Sequence, residues 1–325
     1  MKKTIIIALV AILIAGIGIL YAYFVNKQGN NAEPVQNQTP VVDEQETTPG
    51  ENNMNPAATS SPEVNNTPAE TPTAVPENKK EEIVGKSVGG AGITAYHYGT
   101  GTKELLFVGG IHGGYSFNTV LLAEKLANTL AADPSLVPAN VRVTIVQNLN
   151  PDGSQDFMAN AGRFDSLDAA AKLSIRTAGR FNANKVDLNR NFDCNWKATG
   201  VWQNKTVSGG TAAFSEPESQ AIRDYAKNHS LAAVVAWYSA GGGVYSSSCG
   251  KGILPETQTI TDLYAKASGY PAYKNFESYQ VSGDVTDWFA KNNIPAIGVL
   301  LNTSEDEEWD KNWAGIKALL GYYAK

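Results

Sequence analysis

Four short apolar runs, each rich in β-branched residues, set the strongest limit on how this chain folds. They are ELLFVGG (Glu104 to Gly110), VRVTIVQNL (Val141 to Leu149), AAVVAWYS (Ala232 to Ser239) and AIGVLL (Ala296 to Leu301). Runs of this length without polar alternation read as buried strands, which need covering layers. Helix patterns lie between and after them, at Asn118 to Ala132, Ser215 to Asn228, Gly283 to Asn292 and Glu305 to Ala324. Ser215 and Glu218 stand at capping-box spacing around Pro217, and the acidic run Glu305 to Glu308 would offset the dipole of the last helix. This order predicts one α/β domain over 80–325. Its sheet is mixed, largely buried and flanked by helices, with ligands at the C-terminal ends of the strands.

The first quarter of the chain obeys different rules. After Lys2 and Lys3 no charge occurs from Thr4 to Val25. As a helix that stretch spans roughly 33 Å, against about 30 Å of bilayer hydrocarbon. Tyr21, Tyr23 and Phe24 suit an aromatic belt at the far interface, and the leading lysines put the N-terminus on the cytoplasmic side. Residues 1–26 are therefore expected to be an uncleaved membrane anchor; a cleaved signal peptide, giving a secreted chain, is the alternative. Residues 27–79 are Asn, Gln, Thr, Pro and Glu with hardly an aromatic, the composition of a disordered linker. Such a linker would reach about 40 Å r.m.s. and hold the domain off the cell membrane on its extracytoplasmic side. A net charge of −6 offers no basic footprint, so nucleic acid is excluded as a partner class. The two cysteines, Cys194 and Cys249, are too few for a disulfide-framework protein and lack the paired spacing of a structural zinc site.

Four segments fall at the expected strand ends. They are GGIHGGYSFNT around His112, NLNPDG from Asn148 to Gly153, VDLNRNFDCNW from Val186 to Trp196, and YQVSGDVTDW from Tyr279 to Trp288. In this order and spacing the chain resembles the carboxypeptidase A-type zinc metallopeptidases over nearly all of Lys80 to Lys325. The resemblance implies a carboxypeptidase A-like fold. It also implies a zinc ion on three protein ligands, an open position for water and a carboxylate base. In that family the ligands are a His and a Glu after the first strand and a second His at the end of a later one. Only His112 is kept here. Tyr115 and Ser116 stand where the Glu is expected, Tyr238 where the second His belongs, and Leu300, followed by Leu301, where the base belongs. No acidic residue occurs between Asp287 and Glu305 to take over that role. His97 and His229 read as structural or surface histidines. A tyrosinate at Tyr238 would need a metal to depress its pKa from about 10. On this reading no catalytic residue is intact and no cofactor is expected; zinc belongs to the alternative of an active enzyme with atypical ligands.

The side of the site that receives the substrate carboxylate is better kept. By resemblance Asn189 and Arg190 grip the free C-terminal carboxylate and Tyr279 closes over it. Arg180, with Arg176 as the alternative, matches the arginine that polarises the scissile carbonyl. A guanidinium suits this task because its planar fork bonds a carboxylate at two points. Trp196, Trp202, Tyr238 and Tyr245 are candidates for further contacts. The family fold also brings Cys194 and Cys249 to one face, which implies a disulfide in an oxidising compartment. NPDG reads as a turn that shapes the cleft. The expected function is a membrane-tethered, catalytically inactive carboxypeptidase-like domain that binds peptides or peptidoglycan stem peptides through a free carboxylate. The alternatives are an active zinc metallocarboxypeptidase with atypical ligands, and a structural or partner-binding surface domain.

Overall fold

All four apolar runs become neighbouring strands of one eight-stranded sheet in the computed structural model, which describes residues 79–160 and 168–325. The expected anchor, and the expected linker up to residue 78, lie outside the described residues. Among those described, no helix is long and apolar enough to cross a membrane. The chain opens with β1 (Lys79–Lys86), β2 (Gly92–Tyr98), β3 (Lys103–Val108), α1 (Phe117–Ala132) and β4 (Val141–Val146). Next come α2 (Pro151–Asn160), α3 (Ala169–Ala178), the hairpin β5 (Thr199–Trp202) and β6 (Lys205–Ser208), and α4 (Pro217–Asn228). It ends with β7 (Leu231–Ser239), β8 (Gly243–Ser246), α5 (Pro255–Ser268), β9 (Ala272–Tyr273), α6 (Val285–Lys291), β10 (Ala296–Leu301) and α7 (Trp309–Tyr323).

The strand order is β1-β2-β4-β3-β7-β10-β8-β9. The central four, β4, β3, β7 and β10, are mutually parallel, while β2 and β8 join them antiparallel. From β3 the chain steps to β4 on one side and later to β7 on the other. This reversal opens a crevice at the C-terminal ends of β3 and β7, the usual ligand position in such sheets.

Side chains alternate between two cores. On β7, Ala233, Val235 and Trp237 join a cluster covered by α1, α5 and α7. Val234, Ala236 and Tyr238 join a second cluster covered by α4, α6 and the segment around Leu188 and Phe192. Leu106, Val108 and Leu300 share that second face. The period of two along a strand therefore aims Tyr238 and Leu300 at the same side of the sheet.

Three local readings of the sequence are corrected. NPDG is a helix start rather than a turn: Asn150 Oδ1 accepts the Gly153 N–H at 2.9 Å, and Pro151 takes the first position of α2, where a missing N–H costs nothing. The Ser215–Glu218 capping box does not form. Ser215 Oγ donates to Glu216 at 2.7 Å, while Glu218 is drawn into the interior, where it accepts from Val88 N at 3.1 Å and Asn182 Nδ2 at 3.2 Å. The acidic run 305–308 lies in the turn before α7, and Glu308 reaches back to Asn302 N at 2.6 Å; only Asp310 is left to meet the helix dipole in the first turn.

Candidate functional site

A cleft of about 390 Å³ opens at the C-terminal ends of β3, β7 and β10. It gathers most of the residues singled out in the sequence: His112, Arg180, Asn189, Arg190, Tyr238, Tyr279 and Leu300 line it, while Ser116 lies outside its lining. Arg176 does not line it either. Its guanidinium turns outward to Ser304 O at 2.8 Å and Glu305 at 2.7 Å, so Arg180 is the arginine that faces the cleft.

One segment between α3 and β5 organises the floor. Asp187 caps the short turn Leu188–Arg190 by accepting the Asn189 N–H at 3.1 Å, and its side chain is fully buried. Arg180 donates to Asp187 Oδ2 from Nε at 2.9 Å and from Nη2 at 2.8 Å. His112 approaches the other carboxylate oxygen, with Nε2 at 3.3 Å. Burial works against the charge on Asp187, but Arg180 and Arg190 outweigh it and hold the carboxyl well below its usual range. Burial, reinforced by Arg180, pushes the His112 imidazole down to about 4 against the opposing pull of Asp187, so it is neutral near pH 7. Asp187 is the principal site residue that sequence reasoning missed. A signal was available: an acid two residues before Asn189 is a capping residue.

The neighbouring residues differ in what they leave free. Asn189 is committed at both ends of its amide. Its Oδ1 accepts from Tyr238 at 3.1 Å and from Val285 N at 3.2 Å, and its Nδ2 donates to Asp284 at 2.7 Å. Arg180 is sandwiched between the rings of Trp202 at 4.4 Å and Tyr115 at 5.4 Å, with its charge met by Asp187. Arg190 is different. It is 1% exposed and donates to two backbone carbonyls, Asn189 O at 2.7 Å and Val201 O at 2.9 Å. Its Nε–H has no partner, and among the described residues no carboxylate pairs with it. The Tyr279 ring lies 5.8 Å from this guanidinium. A buried cation without a counter-ion is costly, and at the wall of a cleft it marks a place for an anion.

Gly283 holds the Tyr279 loop against this floor. Its φ is 69°, and a Cβ there would lie 2.2 Å from the Arg190 carbonyl oxygen, so the position requires glycine. The expected disulfide between Cys194 and Cys249 is present and ties the same floor to the loop after β8. Of the other aromatics, Trp202 and Tyr245 line the cleft. Trp196 instead donates to Gly209 O at 2.9 Å. His97 and His229 lie with Glu104 and Thr144, where His97 Nδ1 is 3.0 Å from Thr144 and His229 Nδ1 is 3.1 Å from Glu104.

Two acids at the start of α6 were also missed as site residues. Asp284 caps the helix through Thr286 N at 2.7 Å and Asp287 N at 3.0 Å. Asp287 accepts from Ser248 N at 2.9 Å, yet burial and the charge of Asp284 push its carboxyl up to about 7. Both line the cleft.

The zinc carboxypeptidase family model matches residues 69–312. The chain belongs to that family. Among curated relatives, gamma-D-glutamyl-L-diamino acid endopeptidase 1 of Lysinibacillus sphaericus is 27% identical over 227 residues. That match covers 63% of this chain and 56% of the relative, so the chain spans about half of that protein's length. Solved structures that share the fold include the following two. Carboxypeptidase A from Helicoverpa armigera has a TM-score of 0.59 at 22% identity, covering 77% of this chain and 69% of that one. Murein-tripeptide amidase from Escherichia coli O157 has a TM-score of 0.54 at 23% identity, covering 77% and 96%.

The family name raises the question of whether these residues fit zinc. Around His112 they do not. The Ser116 hydroxyl is buried and directed at Ser239 O at 3.4 Å. Burial, with the charges of Asp284 and Asp287, holds the Tyr238 hydroxyl well above its ordinary pKa, so it stays protonated and donates to Asn189. Asp187 is taken by Arg180. Among the described residues no three His, Cys, Asp or Glu side chains stand in an arrangement suited to a metal ion. Zinc favours three anionic or imidazole donors, and around His112, among the described residues, no second and third donor join its imidazole.

Proposed function

We propose that this chain is a membrane-tethered, extracytoplasmic carboxypeptidase-like domain that binds a peptide or stem peptide by its free carboxylate and does not cleave it. The observation that carries this reading is Arg190, a buried guanidinium in the cleft that, among the described residues, has an unused Nε–H and no carboxylate partner. A ligand carboxylate supplies the missing charge, and Tyr279 is placed to cover it. The loss of catalysis rests on Ser116, Tyr238 and Leu300, which offer neither zinc ligands nor a base. Family membership favours a second reading, an active zinc enzyme with atypical ligands, in which His112 would anchor the metal. The anchor over 1–26 and the linker over 27–79 give the domain its place at the cell surface.

Two acids in the same cleft suggest which peptide. Asp284 and Asp287 form an acidic pair that would favour a ligand bearing a second amino group. The relative that acts on a γ-D-glutamyl-L-diamino acid bond gives that ligand class a precedent in the family. An ammonium pairs with ionised Asp287, and ionisation occurs above about pH 7. Affinity for a peptide ending in a diamino acid is therefore expected to rise roughly tenfold from pH 6 to pH 8, with no such rise for one ending in alanine. The raised carboxyl has the opposite effect on folding: its contribution to stability is present below the unfolded pKa of about 4 and is lost as pH rises through about 7.

The deciding experiment is calorimetric titration of the full chain, in chelator, with one peptide as free acid and as C-terminal amide. One charge-assisted hydrogen bond is worth about 1.5–3 kcal/mol, so the free acid should bind about 10- to 150-fold more tightly. Equal affinities would remove the carboxylate reading.

A further inference from the structure

The disulfide joins two segments of unequal freedom. Cys194 is 3% exposed, and its segment is fixed by other means: Phe192 N donates to Gly283 O at 3.0 Å, and Cys194 O accepts from Gly283 N at 2.8 Å. The Phe192 ring is buried against Phe214 and Trp288. Cys249 is more exposed and sits on a loop that closes on itself through the Ser248–Ile253 bridge. This loop turns on Gly250 and Gly252, at φ 71° and 83°, with open space around both. The disulfide therefore restrains mainly the Cys249 side. One residue earlier, Ser248 lines the cleft, and its N–H donates to Asp287 Oδ1 at 2.9 Å. Among the described residues Asp287 Oδ2 has no hydrogen bond. A carboxylate held by one oxygen presents the other in a set direction, ready for a charge-assisted hydrogen bond from an ammonium.

We propose that the Cys194–Cys249 disulfide is a redox-sensitive clamp on selectivity: closed, it holds Ser248 against Asp287 so that the acidic pair receives a ligand's second amino group, and opened by a dithiol it lets that preference go. This rests on the acidic-pair reading of the cleft. A reductant thiolate attacks Cys249, the more exposed partner, and Cys194 leaves as a thiolate. The reductant's second thiol then displaces Cys249 and closes its own disulfide, so two electrons pass to the chain and both cysteines end as thiols. Arg190 is braced by Asn189 O and Val201 O rather than by the loop, so recognition of the terminal carboxylate outlasts the opening.

The test is calorimetry of the full chain at about pH 8, where Asp287 is ionised, before and after reduction with dithiothreitol. The ligands are a peptide acid ending in lysine, the same peptide ending in norleucine, which lacks only the second amino group, and the norleucine peptide as its amide. The oxidised chain should prefer lysine to norleucine about tenfold, and on reduction that ratio should fall to about one while the acid-over-amide preference persists. Cys194→Ser with Cys249→Ser should reproduce the reduced chain without reductant. In Asp287→Asn the lysine preference should already be absent and reduction should change nothing further. A lysine preference that survives reduction overturns the inference and leaves the acidic-pair reading intact. Equal binding of lysine and norleucine by the oxidised chain removes that reading and the inference with it. Loss of all three ligands alike on reduction and in the double-serine chain also overturns it, because the disulfide would then be a staple of the fold.

Discussion

Replacing Asp187 by alanine is expected to lower the stability of the folded domain by about 3–5 kcal/mol, the usual cost of breaking a buried ion pair from one side. The carboxylate is fully buried and, among the described residues, is the only counter-charge that Arg180 meets, through contacts at 2.9 and 2.8 Å. Without it Arg180 remains wedged between Trp202 and Tyr115. The Asn189 N–H loses its acceptor in the same step. Urea melts read the effect as a lower midpoint with an unchanged slope. Asp187→Asn keeps an acceptor for Asn189 but not the charge, and should fall between wild type and Asp187→Ala. A midpoint unchanged in Asp187→Ala would mean that the pair contributes nothing.

Arg190→Ala carries the second large effect, on recognition. The free-acid peptide should lose about 10- to 150-fold in affinity while the amidated peptide is unaffected, which erases the preference between them. The side chain also braces Asn189 O and Val201 O, so the melting curve of the variant has to be recorded alongside. Arg190→Lys separates charge from geometry. It restores a cation as a point charge without the planar fork, and should recover only part of the preference. A variant that keeps the full preference would place the carboxylate elsewhere in the cleft.

The parts of the fold that could be read from sequence are those whose energetics are local in the chain. Buried parallel strands need unbroken apolar runs, and Leu105 to Val108 or Ala233 to Tyr238 show them directly. Asn150 and Pro151 were misread because the same residues that favour a turn also favour a helix N-terminus, and only the tertiary setting chooses. The hairpin β5–β6 gave no signal. It has four residues per strand and little apolar content, yet it brings Val201 O and Trp202 to Arg190 and Arg180.

The site divides in the same way. Arg180, Asn189, Arg190 and Tyr279 were found through motifs and do converge on one cleft. That the Asn189 amide is consumed by Tyr238, Val285 and Asp284 while the Arg190 charge is not depends on contacts across nearly a hundred residues. No periodicity reports such pairings. Asp187 and the Asp284–Asp287 pair escaped notice for the same reason, since their roles come from what they face rather than from where they stand in the chain.

The central claim is that this cleft holds a peptide terminus that it cannot cut. A single-turnover assay tests it most directly: zinc-supplemented chain in excess over a peptide ending in a diamino acid, followed by mass spectrometry. The peptide should be recovered intact, with or without chelator. Release of the terminal residue at a rate that zinc restores and chelator abolishes would contradict it.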